Sequence, residues 1–336
     1  MNRNLKQIII WLLFFTLVIG QENKQTKSEF GKKHQQQQAF LNFKNLYAKK
    51  YDSVEHEQYR FNIFLENLKE IERLNAEITS AQFGVNQFSD FAQEEFVKLF
   101  TGAVIPNNID QSVPLQNASE PNERNLQSIP TNWDIRVNGP GQMQPVKNQG
   151  GCGSDWAFTV TATVENLYKI KYNYNLQFSE QQQVDCTYQR DGCQGGWFTD
   201  AYQFVINTGL ALENSYSYTG VYGTCRTSQM GIYLYKISGF QNLANDQQII
   251  KQAIVSKGAA AVCVDATYWR QYASGIYSDS RASTTTCNHA ATIIGYGPGY
   301  WLIRNSWGKS WGEQGHIRVA SDGSGGIRTQ YVFQPY

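Results

Sequence analysis

The side chains best suited to chemistry lie in the last two thirds of the chain. All six cysteines follow residue 151, and only two of the four histidines, His289 and His316, follow residue 60. Six cysteines in an oxidising compartment can form up to three disulfides, although their number does not decide which residues pair. No cysteines show the C-x-x-C spacing, so a structural zinc site is not expected, and neither a metal nor a cofactor is predicted.

The overall charge gives no reason to expect a nucleic-acid or membrane partner. The 336 residues hold 29 lysines and arginines against 28 aspartates and glutamates, a net charge of +1, whereas polyanion-binding proteins carry a basic excess. With 41% hydrophobic and 14% aromatic residues, the chain can build a sizeable core. We therefore expect a soluble globular protein.

The first twenty residues have the pattern of a secretory signal peptide. Arg3 and Lys6 precede Ile8–Ile19, a twelve-residue apolar run interrupted only by Thr16, and cleavage is predicted near Gly20–Gln21. A short membrane anchor is the alternative, but a span needs about 20 apolar residues. Secretion leads outside the cell or to a lysosome or vacuole, where disulfides persist.

Helices dominate the prediction for the first hundred residues. Residues 39–76 show helical spacing of apolar side chains, after a polar stretch over 21–38 that indicates a solvated lead-in. Phe83–Asp90 is predicted as a strand running into a turn. Asp90 is then expected to cap a helix over Phe91–Phe100.

The next stretch, 101–128, indicates an exposed linker of the kind that proteases cut. It contains three prolines and lacks periodicity. Asn117 begins a glycosylation sequon within it, Asn-Ala-Ser, which agrees with an exposed loop.

From Ile129 onward, helical patterns come first and strands later. The helical patterns are at Trp156–Tyr172 and Trp197–Asn207. The β-like runs are Ala259–Val264, Ala290–Tyr296, Tyr300–Arg304 and His316–Val319. This order predicts an α+β fold with two subregions. His316 lies within a strand pattern and is expected to be structural.

Three separated segments resemble the active-site motifs of papain-family cysteine proteases. They are Pro145–Phe158, Asn288–Ala290 and Trp301–Gly308. His289 lies 134 positions after Asp155, and Asn305 lies 150 positions after it. The family's histidine and asparagine follow its nucleophile at such spacings.

Two upstream motifs resemble the inhibitory propeptide of cathepsin L-like members. The first is an interrupted helical motif with His56 in place of its first glutamate; its matching residues are Arg60, Phe64, Asn67, Ile71 and Asn75. The second is matched by Gly84, Asn86, Phe88 and Asp90.

The resemblance covers about 39–336 and implies a domain order. After a signal peptide over 1–20 would come a propeptide over 21–126, with its helical inhibitor domain at about 39–100. A papain-like domain would follow over 127–336, with a helical half and a half that resembles a β-barrel. The chain's own propeptide and an extended peptide are the implied partners.

The resemblance also implies roles for the active-site residues. Asp155 stands at the position of the nucleophilic cysteine, His289 at that of its base, and Asn305 would orient the imidazole. Trp307 would shield that hydrogen bond from water, and Gln149 would donate to an oxyanion.

Substrate binding is implied for two glycines and one pocket. Gly195 and Gly196 would present bare backbone to an extended peptide, which would add as a strand. The pocket for the substrate's second residue would be faced by Trp197, Phe198, Cys263, Cys287 and Ala290.

Two disulfides follow from the same resemblance, Cys152–Cys193 and Cys186–Cys225. The family's third bridge would need a cysteine near residues 325–327, and none is there. Cys263 and Cys287 lie on one wall of the pocket, where they would either form a bridge or remain as two thiols.

Aspartate at position 155 predicts the loss of thiol proteolysis. A carboxylate is far less nucleophilic toward an amide than a thiolate, and its attack would give a mixed anhydride. An Asp155–His289 pair can nevertheless replace the thiolate–imidazolium pair at a helix N-terminus. Aspartic-protease chemistry needs a second facing carboxylate, which the matching motifs lack.

The sequence thus predicts a pseudo-peptidase that retains a peptide-binding groove and depends on another protease to remove its propeptide. One alternative is an active cysteine-type endopeptidase. The other is a weak hydrolase in which His289 and Asp155 activate water.

Overall fold

The computed structural model describes residues 31–106, 129–139, 143–243 and 245–336. The predicted signal peptide, the sequon at Asn117 and most of the predicted linker lie outside these residues. The chain divides into two compact units, one ending at Asn67 and the other beginning at Leu68. In the described residues, no helix is long and apolar enough to cross a membrane.

The first unit contains helix α1, over 31–46, and the first part of helix α2, Val54–Glu77. Phe64 packs between the two aromatic rings of α1, with ring centroids 5.3 Å from Phe40 and 5.0 Å from Phe43. Helix α1 includes Gln35–Gln38, which belong to the polar stretch that was expected to be a solvated lead-in. Glutamine is a good helix former, and most side chains of this run stay in solvent.

The second unit begins with residues of the predicted propeptide, which pack on the rest of this unit. Strand β1, Ala81–Phe83, pairs antiparallel with β5, Tyr272–Tyr277. Helix α3, Gln93–Phe100, follows, and the Glu95 carboxylate accepts the Ala92 N–H at 2.9 Å. The prediction that Asp90 caps this helix is wrong, because the helix starts later and Glu95 supplies the cap.

The helical part of the predicted papain-like domain is centred on α5. Its helices are α4, Ile135–Asn138; α5, Asp155–Tyr172; α6, Glu180–Cys186; and α7, Phe198–Asn207. Every residue of α5 from Asp155 to Leu167 is buried. This helix has small and apolar residues on all faces, so it can be surrounded by other elements.

The remaining strands extend the sheet that β1 and β5 begin. They are β2, Trp133–Asp134; β3, Phe240–Asn242; β4, Ala260–Val264; β6, His289–Gly297; β7, Tyr300–Arg304; β8, His316–Ala320; and β9, Ile327–Pro335. The order is β1-β5-β8-β7-β6-β4-β9-β3, with β2 paired to β6. Helix α8, Gln247–Lys257, contacts β6. The predicted α+β fold is confirmed.

All six cysteines form disulfides, so the chain holds no free thiol. The bridges are Cys152–Cys193, Cys186–Cys225 and Cys263–Cys287. Of the two arrangements left open for the last pair, the structure has the bridge, which ties β4 to the residues just before β6.

Candidate active site

Asp155 is the first residue of α5, and its side chain is fully buried. Carboxylate oxygen Oδ2 lies 2.9 Å from His289 Nδ1, and Oδ1 accepts the Ala290 N–H at 3.3 Å. The partial positive charge of a helix N-terminus favours an anion at this position. Both oxygens of the carboxylate are therefore engaged.

His289 is held between two acceptors. It is the first residue of β6, and its Nε2 lies 2.8 Å from Oδ1 of Asn305, which directly follows β7. Asn305 Oδ1 also accepts the Ser306 N–H at 2.8 Å, which fixes this oxygen toward the imidazole. Nε2 must then carry a hydrogen, and a second proton lies between His289 Nδ1 and Asp155.

Trp307 covers the imidazole. Its ring centroid lies 4.8 Å from that of His289 and 4.8 Å from that of Trp311. All three side chains are fully buried or nearly so. Water is excluded from the His289–Asn305 hydrogen bond, which strengthens that bond in the low-dielectric interior.

Gln149 and Trp307 donate to the same backbone carbonyl. Gln149 Nε2 lies 3.3 Å from the Phe100 oxygen and 3.0 Å from that of Cys152, and Trp307 Nε1 lies 3.0 Å from the Phe100 oxygen. Ser306 Oγ donates to Gln149 Oε1 at 2.6 Å and so orients the amide. The Phe100 carbonyl thus lies beside the Gln149 amide, where the sequence predicts an oxyanion.

Residues 102–104 then cross a groove between two walls. The Ala103 N–H donates to the Asn288 carbonyl at 3.1 Å. On the opposite wall, the Val104 N–H donates to the Gly196 carbonyl at 3.0 Å, and the Gly196 N–H donates to the Gly102 carbonyl at 2.9 Å. This pairing is parallel.

Residues 101–106 were predicted to begin an exposed linker; this prediction is wrong for Thr101 and Ala103, which are buried, whereas Val104 is exposed. Thr101 and Ala103 are buried, because hydrogen bonds to both walls satisfy the backbone in between. The approach is close enough to require glycine at position 102, where a Cβ would lie 2.0 Å from the Gly153 oxygen.

The residues expected to face the second substrate side chain lie around Ala103. Trp197, Phe198, Cys263 and Ala290 are buried in one apolar cluster with Ala103, and the half-buried Cys287 packs against it. The rings of Trp197 and Phe198 stack at 4.0 Å. Gly195 has φ of 102° and faces the Gly102 oxygen.

Two groups of contacts near the site were not predicted. The Tyr218 hydroxyl donates to the Gln149 carbonyl at 2.7 Å and lies 2.8 Å from Ser154 Oγ. Behind α5, Lys147 Nζ lies 2.8 Å from Glu180 and 3.1 Å from Glu165. No spacing in the sequence signals these contacts, because the partners come from separate elements.

The buried Lys147 cluster has shifted proton affinities. Burial raises the pKa of Glu180 to about 8, against the attraction of Lys147. Burial also disfavours the Lys147 ammonium, but Glu180 and Glu165 outweigh it and raise the pKa of Lys147. The cluster holds Lys147 charged beneath the first turns of α5.

His316 lies apart from this site, on β8. Its Nδ1 lies 3.0 Å from the Gln314 carbonyl oxygen, and burial, together with Arg136 and Arg304, lowers its pKa to about 4. Among the residues that the structure describes, no cluster of His, Cys, Asp and Glu side chains could hold a metal ion.

Comparison with known proteins assigns the chain to a family. Residues 129–334 match the family model for papain family cysteine proteases, and residues 40–96 match that for the cathepsin propeptide inhibitor domain. The chain belongs to the papain family of cysteine proteases and carries the cathepsin-type propeptide inhibitor domain. The resemblance to the papain family is thereby confirmed.

Individual relatives resemble the chain over most of its length. Fruit bromelain from Ananas comosus is 38% identical, over 82% of this chain and 78% of the relative. A cathepsin L-like proteinase from Fasciola hepatica is 35% identical, over 83% and 86%. Among solved structures, a recombinant stem bromelain precursor has a TM-score of 0.78 at 34% identity, over 89% of this chain and 98% of that chain. A digestive procathepsin from Tenebrio molitor larval midgut has a TM-score of 0.78 at 31% identity, over 89% and 99%.

Proposed function

We propose that this chain is the precursor of a pseudo-peptidase, which binds an extended peptide in a papain-like groove but lacks thiol proteolysis. One observation carries the proposal. Asp155 stands where the family's nucleophilic cysteine is expected, at the buried start of α5, with its carboxylate 2.9 Å from His289 Nδ1. Asn305 binds the other ring nitrogen.

The chemistry of this pair supports stability without nucleophilic reactivity. A nucleophile must release one oxygen toward a substrate carbonyl, but Oδ2 of Asp155 pairs with His289 and Oδ1 accepts the Ala290 N–H. No thiol can substitute for it, because all six cysteines are in disulfides. The fully buried charge is compensated by the imidazole, as a buried carboxylate requires.

The backbone of the groove supports retained peptide binding. Gly196 offers both its N–H and its carbonyl to the propeptide strand, and Asn288 offers its carbonyl from the opposite wall. A free peptide in an extended conformation would use the same groups after the propeptide leaves. The ligand class is therefore an extended peptide or protein segment.

Maturation would depend on a second protease. A chain without peptidase activity cannot cut its own linker, so the activating protease would act in trans within 107–128. We place the protein in the secretory pathway, outside the cell or in a lysosome or vacuole, because of the predicted signal peptide over 1–20 and the three disulfides.

Replacing Asp155 with cysteine tests the proposal. The propeptide is cut by an added protease that is then inactivated, and the product is incubated with a thiol-reactive epoxide probe and with fluorogenic peptides. We expect no labelling of Asp155 protein and labelling plus alkylation-sensitive turnover for Asp155→Cys. The gain should be large, since losing a nucleophile costs on the order of 10⁶-fold in one protease. Asp155→Ala is the matched control, because it removes the carboxylate without adding a thiol.

Two results would contradict the proposal. Thiol-dependent turnover by the Asp155 protein would favour the ordinary cysteine endopeptidase. Turnover that resists alkylation and disappears in His289→Ala would favour hydrolysis by water activated through His289 and Asp155. An Asp155→Cys protein that folds and binds peptide but remains inert would show that more than the nucleophile has been lost.

A further inference from the structure

Arg328 on β9 is a buried cation without an anionic partner. Arg328 is only 8% exposed. Nη1 donates to the Thr285 carbonyl at 2.8 Å, while Nε is buried without any acceptor. In the part of the chain that the structure describes, no carboxylate pairs with it. A buried guanidinium of this kind is costly unless something compensates its charge.

The position of Arg328 connects it to the groove. In the β4–β9 pairing, Val262 lies opposite Val332 but Cys263 lies opposite Arg328, so residues 329–331 leave the ladder. The Arg328 guanidinium lies 4.6 Å from the centre of the Tyr331 ring.

Tyr331 and Cys263 join this cation to the pocket around Ala103. The Tyr331 ring meets Trp197 edge-on at 5.5 Å. Trp197 and Cys263 belong to the apolar cluster that contains Ala103, and Tyr331 packs against the same cluster. The guanidinium is therefore linked, through Tyr331 and through the pairing with Cys263, to the apolar cluster that contains Ala103.

The propeptide places only a methyl group in this pocket. A longer side chain with a carboxylate could extend past the Ala103 position toward Arg328 and form a charge-assisted hydrogen bond with its unpaired Nε. The surrounding aromatic rings and the Cys263–Cys287 bridge keep the local dielectric low, which strengthens the attraction. A lysine entering the same pocket would meet a like charge.

We propose that this pocket selects peptides with an acidic side chain, glutamate above all, at the position that Ala103 occupies in the propeptide. This selectivity rests on the proposed function, namely that the groove binds an extended peptide. Arg328 is the residue that determines the preference.

The full-length chain allows a test that needs neither turnover nor propeptide removal. Ala103→Glu and its uncharged analogue Ala103→Gln are each made with Arg328 and with Arg328→Met. The readout is hydrogen exchange of the Gly196 amide, which donates to Gly102 across the groove. With Arg328 present, exchange should be about 10-fold slower for Ala103→Glu than for Ala103→Gln, the size expected of one charge-assisted hydrogen bond. With Arg328→Met, the order should reverse.

Two outcomes overturn the proposal. Equal exchange in the two position-103 variants with Arg328 present would show that the pocket does not sense the carboxylate. A preference for Ala103→Glu that survives Arg328→Met would assign it to another group. Exchange of the β6–β7 ladder amides is the internal control that every variant is folded. The two position-103 variants are compared only within the same Arg328 or Arg328→Met background.

Peptide binding to the protein with its linker cut separates this inference from the proposed function. Fluorescent peptides that differ only by glutamate, glutamine or leucine at the selected position are titrated against it. Tighter binding of the glutamate peptide supports the selectivity, and equal binding of all three overturns it. If no peptide binds, the proposed groove function fails, while the exchange experiment still decides the preference of the pocket.

Discussion

At the scale of single residues, Asp155 is a fully buried carboxylate whose two oxygens both have partners in the surrounding site. Its Oδ2 pairs with His289 Nδ1, and its Oδ1 accepts the Ala290 N–H. Asn305 then holds the other ring nitrogen of the imidazole, Nε2. Neither oxygen of this buried carboxylate is therefore left without a hydrogen-bond partner.

His316 predicts an acid-sensitive contribution to stability. Burial lowers its pKa to about 4, whereas an unfolded histidine titrates near 6.5. Between those values the unfolded chain binds a proton that the folded chain refuses, so the free energy of unfolding falls as pH drops from about 6.5 to about 4, by up to about 3 kcal/mol. His316→Gln should remove this loss.

Urea unfolding at several pH values between 4 and 7 measures the effect. His34→Gln, at an exposed position, is the matched control and should keep the pH dependence of the parent. If the free energy of unfolding falls equally with pH for His316→Gln and for the parent over this range, the buried neutral His316 is not the cause of the acid sensitivity.

At the scale of elements, the segment over 101–106 depends on close backbone contact. The Gly102 Cα faces Gly153, where a Cβ would lie 2.0 Å from the carbonyl oxygen. The neighbouring Gly102 carbonyl accepts the Gly196 N–H at 2.9 Å. Any side chain at position 102 must move the strand and lengthen this hydrogen bond.

We expect Gly102→Ala to weaken propeptide docking. After the linker is cut, the propeptide should leave at least about 10-fold faster than in the parent, because one buried backbone hydrogen bond and the local fit are lost. Release is followed by size-exclusion chromatography of a labelled propeptide. Gly84→Ala is the control, since its Cβ would make an ordinary contact of 3.7 Å with Ala273. Equal release rates for the two variants would refute the close-contact argument.

Elements with a strong local pattern could be predicted from the sequence, and elements defined by distant partners could not. The expected helix Trp156–Tyr172 differs from α5 by one residue, and the run Tyr300–Arg304 is β7 itself. Strand β9 has no such pattern, because Arg328 and the two polar residues after it interrupt the apolar alternation where the ladder changes register. The burial of Thr101 and Ala103 depends on Gly196 and Asn288, which lie far away in sequence.

The candidate site likewise has contacts that the sequence predicts and contacts that it does not predict. The spacing of His289 and Asn305 from Asp155 was sufficient to predict that the three meet, because family motifs preserve it. The Phe100 carbonyl between Gln149 and Trp307 was not predictable, since no motif marks a backbone oxygen. The unpaired charge of Arg328 is likewise visible only once β9 is paired with β4.

At the scale of the whole molecule, no covalent bond other than the chain itself holds the propeptide. The first 151 residues contain no cysteine, and the three disulfides all lie within 152–287. Propeptide residues 81–83 form the edge of the sheet through the β1–β5 pairing. Docking of this segment is therefore noncovalent once the linker is cut.

The protein should be unable to mature by itself. Expressed without other proteases and held at acid pH, it should keep its full length, because Asp155 provides no nucleophile for cleavage of 107–128. The Asp155→Cys variant under identical conditions should convert at least in part. Mass spectrometry of both proteins over time distinguishes the two, and a shortened product from the Asp155 protein would reveal residual activity.

If the groove binds an extended peptide as proposed, the hydrogen bonds that Gln149 and Gly196 make to residues 100–104 mean that this peptide and the propeptide would exclude each other. While residues 107–128 are intact, the propeptide is an intramolecular competitor with an effective concentration on the order of millimolar. Cutting that segment dilutes the competitor to the concentration of the protein itself, so at micromolar protein the competition weakens about a thousandfold. Under the proposed function, hydrolysis of a single bond within 107–128 would thus act as a switch for ligand occupancy.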